Sequence, residues 1–365
     1  MLNRRVFFKE GTALLAITMG AAGESMMGDP GTDGANSSLD SKAVMLPGLV
    51  DLQVNGFAGV DFNDPALKAE QVMKAQEAMQ ATGVTRFLPT LTTSSLESFS
   101  ASARTLAKCH HPALAGIHME GPYISPVDGA RGAHPKEWVR LPDLEDFKRR
   151  QEAAGGKIKL VSLAPEVPGT LSLTEYLVKA GIKVAIAHTA ATPAQIQDAV
   201  KAGATLSTHL GNGCAQMLPR HPNFIWEQLA EDRLMASFIV DGHHLPPATV
   251  KSMIRAKTPA RSLLVTDAIE VAGLPPGSYK FSSQDVELSP EGRVSLVGTP
   301  YLAGSALRMD AAVGNAVRFT GLPLEEVVAM ASSRPAAYIG IQPAGKIQAE
   351  WDPKEFKLRI LKVTS

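Results

Sequence analysis

Leu114-Ala115-Gly116-Ile117-His118-Met119-Glu120, followed at once by Gly121-Pro122, is the stretch on which the chain turns. An apolar run that ends on a carboxylate and is stopped by a Gly-Pro pair, which cannot continue a ladder, is a short buried β-strand. A carboxylate in that place is costly to bury unless it is paired or bound to a metal. Two later apolar runs close in the same manner on histidine: Lys183 to Thr189 carries His188, and Thr205 to Leu210 carries His209. One carboxylate and two imidazoles at the same end of three parallel strands make a candidate divalent-metal site with a position left for water.

Outward from these runs the chain keeps one rhythm. Apolar runs over 46–55, 84–91, 114–120, 158–165, 183–188, 205–210, 235–241 and 262–267 alternate with helical periodicity. Pro65–Gln80, Pro193–Ala202 and Pro246–Ala256 read as helices, each opened by a proline suited to a first turn. Strands that alternate with helices eight times predict an α/β protein with a (β/α)₈ barrel. Each run also carries polar residues at or just past its C-terminal end, the face on which such barrels build active sites. Beyond the eighth run, Gly277 to Val297 alternates around Ser289-Pro290-Glu291-Gly292, which predicts a hairpin insertion near 277–299. Ser305–Phe319 and Leu324–Ser332 read as helices. The barrel is expected over 44–340, and 341–365 reads as a short charged tail.

The 365 residues are 45% hydrophobic, enough for one large core. With 36 basic and 36 acidic side chains the formal charge is zero, which gives no electrostatic case for nucleic acid or an anionic membrane. Cys109 and Cys214 are too few for a disulfide framework.

The first residues read as a targeting segment. Asn3-Arg4-Arg5-Val6-Phe7-Phe8-Lys9 precedes the apolar run Ala13 to Ala22 and small residues through Gly23. That run is too short to anchor stably in a bilayer, so no stable membrane span is expected. Paired arginines followed by Phe-Phe-Lys resemble a twin-arginine signal over 1–23, which implies a periplasmic or exported protein, or a cytoplasmic one if the signal does not function. Residues 24–43 read as a Gly/Ser/Asp-rich linker.

Along the barrel, several blocks come in order. They are Pro47-Gly48-Leu49-Val50-Asp51-Leu52-Gln53-Val54-Asn55-Gly56, then His118-Met119-Glu120-Gly121-Pro122, Leu163-Ala164-Pro165-Glu166, Ala187-His188-Thr189 and Thr208-His209-Leu210. Val240-Asp241-Gly242-His243-His244, Val265-Thr266-Asp267-Ala268 and Leu302-Ala303-Gly304-Ser305 complete the series. Together they resemble the N-acetylglucosamine-6-phosphate deacetylase family of the amidohydrolase superfamily. The resemblance implies a metal-dependent amidohydrolase barrel that hydrolyses the acetamide of N-acetylglucosamine 6-phosphate. It implies that Glu120, His188 and His209 hold one divalent ion, Zn foremost with Fe, Mn or Co as alternatives. It implies Asp267 as catalytic acid/base, His134 as the residue that helps hold the acyl carbonyl, and Asn212, Gly213, Arg220 and His244 as contacts to the sugar phosphate. Gln53 and Asn55 replace the His-x-His of many superfamily members, which points to one metal rather than two and puts them on the substrate side. A homodimer is implied too, in which the Arg220 loop reaches the neighbouring site.

Two departures bear on this. The family builds a small β-sandwich from both termini, which here is expected to be reduced or missing. Asn212-Gly213-Cys214 stands where the family has Asn-Ala-Met. Two other functions stay open: an exported amidohydrolase of unphosphorylated N-acetyl sugars or N-acyl amino acids, and a non-catalytic sugar-binding relative. His118 is read as support beside the site and Asp51 as a brace of the first strand.

Overall fold

The computed structural model describes residues 41–215, 217–281 and 284–364. The signal expected over 1–23 lies outside these residues, as does the linker expected over 24–43 apart from its last three positions. The expected eight strands are all present. Leu49–Val54, Val84–Leu91, Ile117–Glu120, Ile158–Leu163, Lys183–Ile186, Leu206–Ser207, Met235–Phe238 and Ser262–Leu264 lie side by side in chain order as one eight-stranded parallel sheet. The sheet curls almost shut: Val54 and Ala268 form a parallel bridge between the end of the first strand and the residues that follow the eighth. Helices cover the outside of the sheet, so its strands are buried on both faces. That is why they read as unbroken apolar runs rather than alternating ones. The helix Pro193–Ala202 shows how sharply the local sequence sets its ends: Thr192 and Gln195 form a capping box, proline opens the first turn, and Gly203 closes it at φ 110°.

Four expectations need correction. The run Leu46–Asn55 is two strands, not one. Gly48 separates them, where a Cβ would fall 2.0 Å from the Ala344 carbonyl oxygen. Lys42–Pro47, two residues of which had been given to the linker, pairs antiparallel with Lys346–Asp352. That strand pairs in turn with Lys357–Thr364, so the expected tail is two-thirds of a three-stranded sheet built from both ends of the barrel. The small domain is thus reduced to one sheet. Its sequence signal is the alternation of Ile347, Ala349 and Trp351, all buried, with exposed or half-buried polar neighbours. The hairpin insertion grows into four antiparallel strands, Gly277–Phe281, Gln284–Leu288, Arg293–Leu296 and Leu302–Ser305, with a separate core that includes Val271, Val286 and Val294. The helix expected over Ser305–Phe319 therefore starts only at Met309, and the one expected from Pro65 starts at Ala69. Among the described residues, no helix is long and apolar enough to cross a membrane.

The terminal sheet shares its core with the barrel. Ile347 is fully buried, and its side chain reaches the turn at Gly83 beside Leu49. Ile347→Ala should lower the unfolding free energy by about 2–5 kcal/mol. In urea, the loss should appear as a shift of a single transition at unchanged activity; a separate early transition would show that the sheet is an independent unit.

Candidate active site

The polar residues at the strand ends come together. Glu120 is the last residue of the third strand; His188 and His209 lie just past the fifth and sixth, and Asp267 just past the eighth. His188, His209 and Asp267 adopt φ of 45°, 31° and 49°, the left-handed region that non-glycine residues avoid. Such a conformation costs on the order of 1–3 kcal/mol each and persists where surrounding contacts enforce it. Each of the three leaves its strand through this kink.

Glu120 is the hub. Its Oε1 lies 2.9 Å from His209 Nε2 and 3.3 Å from His188 Nε2, and it accepts a 3.0 Å hydrogen bond from Gln53 Nε2. Burial works to raise this carboxyl, but the two imidazoles outweigh it and hold Glu120 well below the usual carboxylate range. The same contact runs the other way for His209, where burial works to lower the imidazole and the Glu120 charge more than offsets it. His134 Nε2 is 3.1 Å from His188 Nε2 and 4.0 Å from Glu120 Oε2. Ligand atoms of Glu120, His134 and His188 all lie within 4.8 Å of one another. Burial and the neighbouring His188 push His134 down to about 3, so it is neutral at physiological pH.

This donor set fits a cation. His188 Nδ1 lies 3.1 Å from the Ala130 carbonyl oxygen, an acceptor only, so Nδ1 carries the proton. Nε2 then faces the Glu120 carboxylate at 3.3 Å, the side from which the two could share a cation. An imidazole that donates one nitrogen to a backbone carbonyl and offers the other is the usual pose of a metal ligand. Two glycines hold the ring: a Cβ on Gly213 would fall 2.5 Å from His188 Nδ1, and one on Gly132 would fall 3.1 Å from Cε1. At φ 57° Gly213 also occupies a conformation that suits glycine.

Asp267 is half-buried. Burial and the Glu120 charge raise it to about 6, against the opposing pull of His209 and of the Asn55 amide. Asn55 Nδ2 donates to Asp267 Oδ1 at 2.7 Å. Gln53 and Asn55 thus both direct their amides at the site's carboxylates, one at Glu120 and one at Asp267. Asn55 Oδ1 and His209 Nδ1 are buried with no hydrogen-bond partner among the described residues.

The other expected residues fall around this centre. His244 Nδ1 bonds Asp241 Oδ2 at 2.6 Å, and the His244 and His243 amides donate to Asp241 Oδ1. His243 turns away to the carbonyl of Glu291 and lines a 720 Å³ cavity with Lys251 and Arg318. Asn212 Nδ2 donates to the His209 carbonyl at 3.1 Å. Arg220 stands apart: it is exposed on its loop, and its guanidinium has no ion pair among the described residues. His118 has both ring nitrogens engaged, with Thr90 at 3.4 Å and Ser162 at 2.7 Å, and burial lowers it to about 4. It supports the strand and is not a ligand. Cys214 is half-buried, with Sγ 3.4 Å from the Gly211 carbonyl oxygen.

Sequence reasoning missed two supports. Glu166, at the end of the fourth strand run, accepts from the Thr189 hydroxyl at 2.5 Å and the Ala190 amide at 2.6 Å, which pins the chain right after His188. Its position, a carboxylate closing an apolar run like Glu120, was the available signal. Thr93, whose hydroxyl lies 2.8 Å from His134 Nδ1, gave none.

Comparison with known proteins agrees with this geometry. Residues 44–353 match the model of the amidohydrolase family. An N-acetylglucosamine-6-phosphate deacetylase of Bacillus subtilis (strain 168) is 34% identical over 307 residues, 82% of this chain and 76% of that protein. An N-acetylgalactosamine-6-phosphate deacetylase of Escherichia coli O157:H7 is 33% identical over 303 residues, 82% of this chain and 78% of that protein. The crystal structure of N-acetyl-D-glucosamine-6-phosphate deacetylase from Mycobacterium smegmatis superposes with a TM-score of 0.80 at 29% identity, covering 92% of this chain and 89% of that one. The ordered strand-end motifs, the barrel that carries them and these relatives agree: the chain belongs to the amidohydrolase family and, within it, to the N-acetylglucosamine-6-phosphate deacetylases.

Proposed function

We propose that this protein hydrolyses the acetamide of N-acetylglucosamine 6-phosphate to glucosamine 6-phosphate and acetate. The observation that carries this is the buried convergence of His188 and His209 on Glu120, with the raised carboxyl of Asp267 beside it, in a chain related to such deacetylases over its whole barrel. Glu120, His188 and His209 are the ligand set, with His134 at the rim. A divalent cation held there, Zn²⁺ foremost, supplies a water that ionises near neutral pH and polarises the acyl carbonyl. One ion per chain is expected, since Gln53 and Asn55 offer amides where a second would need imidazoles.

Asp267 accepts the proton of the attacking water and later returns one to the departing amine. Asn55 binds Oδ1 and so fixes the carboxylate for that exchange. His134, neutral and backed by the Thr93 hydroxyl, donates from Nε2 to the acyl oxygen as negative charge builds there. His244, fixed by Asp241, and Asn212 face the sugar.

Asp267→Asn should leave one metal ion per chain, read by elemental analysis, and lower kcat by at least ~10²-fold, the scale of a lost general base. In the wild type, the base form of Asp267 is lost as pH falls through its pKa of about 6. A bound cation favours the ionised carboxylate, so kcat/KM should decline tenfold per pH unit only at or below about pH 6. Near-wild-type turnover in Asp267→Asn, or two tightly held ions, would overturn these assignments.

Phosphate recognition is assigned to Arg220, because a guanidinium can grip a phosphate with two parallel hydrogen bonds. Arg220→Ala should raise KM for the 6-phosphate about 10-fold or more and barely alter use of the unphosphorylated sugar. Equal use of both sugars by the wild type, with no effect of the mutation, would favour the second reading, a deacetylase of free N-acetyl sugars.

That second reading has a specific observation behind it, the twin-arginine-like start at Arg4-Arg5. Export by this route is tested with a reporter fused after residue 43. It should reach the periplasm with both arginines present and stay in the cytoplasm when both are lysine; retention of the unaltered fusion would remove export from the proposal.

A further inference from the structure

The first and eighth barrel strands meet without a ladder between Leu49–Val54 and Ser262–Leu264; among the described residues their ends join at the Val54–Ala268 bridge. Asp51, 1% exposed, reaches from the first strand across this seam. Its Oδ2 accepts from the Thr266 hydroxyl at 2.5 Å, and its Oδ1 accepts from the Thr266 amide at 3.3 Å and the Gln53 amide at 3.2 Å. With its proton committed to Asp51, the Thr266 oxygen accepts from the Ala268 amide at 3.3 Å. Thr266, on one side of Asp267, is therefore tied directly to the Asp51 carboxylate, and Ala268, on the other, through the Thr266 hydroxyl.

Asp267 itself sits at φ 49°, its amide donating to the Gln53 carbonyl at 2.9 Å. The Asn55 and Gly56 amides donate to the Ala268 carbonyl at 2.7 and 3.0 Å. The left-handed turn that aims the Asp267 carboxylate is thus held on one side by the first strand and the residues just past it, and on the other by Ser305, whose carbonyl accepts from the Ile269 amide at 2.9 Å. The side-chain part of that construction runs through Asp51 and Thr266.

We propose that Asp51 is a positioning residue for the hydrolysis: acting through Thr266, it closes the barrel seam and holds the Asp267 carboxylate at the angle from which it exchanges its proton. This rests on the assignment of Asp267 as the proton-transfer group. A shift of about 1 Å at a reacting group can cost ~10²-fold in rate. The sugar and phosphate contacts proposed above, Asn212, His244 and Arg220, lie on other elements of the barrel, so the loss should fall mainly on kcat and not on KM.

The test uses the metal-loaded full chain with Asp51→Ala, Thr266→Val, Thr266→Ser, the Asp51→Ala/Thr266→Val double variant and, in parallel, Asp267→Asn. Thr266→Val keeps the shape and removes the hydroxyl; it also serves if Asp51→Ala does not fold. Asp51→Ala and Thr266→Val should each lower kcat about 10- to 100-fold at KM within about 2-fold and unchanged metal content. Thr266→Ser, which retains the hydroxyl, should recover most of the rate. The double variant should be no slower than the worse single one, as expected for two residues acting as a unit. Wild-type kcat in both single variants, with Asp267→Asn inactive, would overturn the positioning role and leave the base assignment intact. Full activity in Asp267→Asn would instead remove the base and this inference with it. Multiplicative losses in the double variant would also overturn it.

Discussion

A carboxylate at the end of a strand buried on both sides has to find compensating charge, and in this protein that need organises the functional end of the barrel. Glu120 is 3% exposed and lies at hydrogen-bond distance from imidazole and amide groups contributed by three other barrel strands. One of these neighbours, His188, has its orientation set behind it. The Ala130 carbonyl fixes the tautomer of His188, and Gly132 and Gly213 leave the space that its ring occupies. Removing the carboxylate would leave those imidazoles facing one another with no partner in common, the kind of half-satisfied buried network that costs more than an apolar core.

The same centre is where the backbone is least comfortable. His188, His209 and Asp267 occupy left-handed conformations, which a chain tolerates where neighbouring contacts leave no alternative. Those contacts are visible: Glu166 behind the turn after His188, the Ser237 hydroxyl on the His209 amide at 2.8 Å, and Asp51 with Thr266 around Asp267. The barrel supplies rigidity and the kinks supply direction. The kinked positions bring His188 and His209 onto Glu120 and set Asp267 close enough to feel its charge.

Two features of the chain pull its biology in different directions. The relatives at about a third identity act on sugar 6-phosphates, by their names, and the barrel motifs follow theirs. Yet Arg220, the side chain proposed for the phosphate, stands exposed and without an ion pair among the described residues, and Arg4-Arg5 with the residues after them resemble an export signal. On the proposed role of Arg220, the choice between the two substrates rests on that one charged contact and leaves the catalytic centre the same.

The barrel and the buried polar residues of the candidate metal site were legible in the sequence because burial makes them so. A strand covered on both faces must be an apolar run, and a polar residue that ends such a run, as Glu120, His188 and His209 do, has few purposes in an interior. The ordered motifs then carried Asp267 and His134 with them. The terminal sheet was harder to read, since Lys346–Asp352 and Lys357–Thr364 are charged on one face and hide a period-two pattern only three apolar residues deep. Gly48, which divides the first apolar run between two sheets, does so for a close approach to Ala344 that lies nearly 300 residues away in sequence. The particular contacts of Gln53, Asn55, Thr93, Glu166 and Asp51 were decided by tertiary structure. Their residue types permit many partners, and only the closing of the barrel brings Asp51 to Thr266, Asn55 to Asp267 and Gln53 to Glu120. Sequence determined which groups would be buried; the fold decided which of them would meet, because hydrogen-bond partners distant in sequence are chosen by distances that no local pattern encodes.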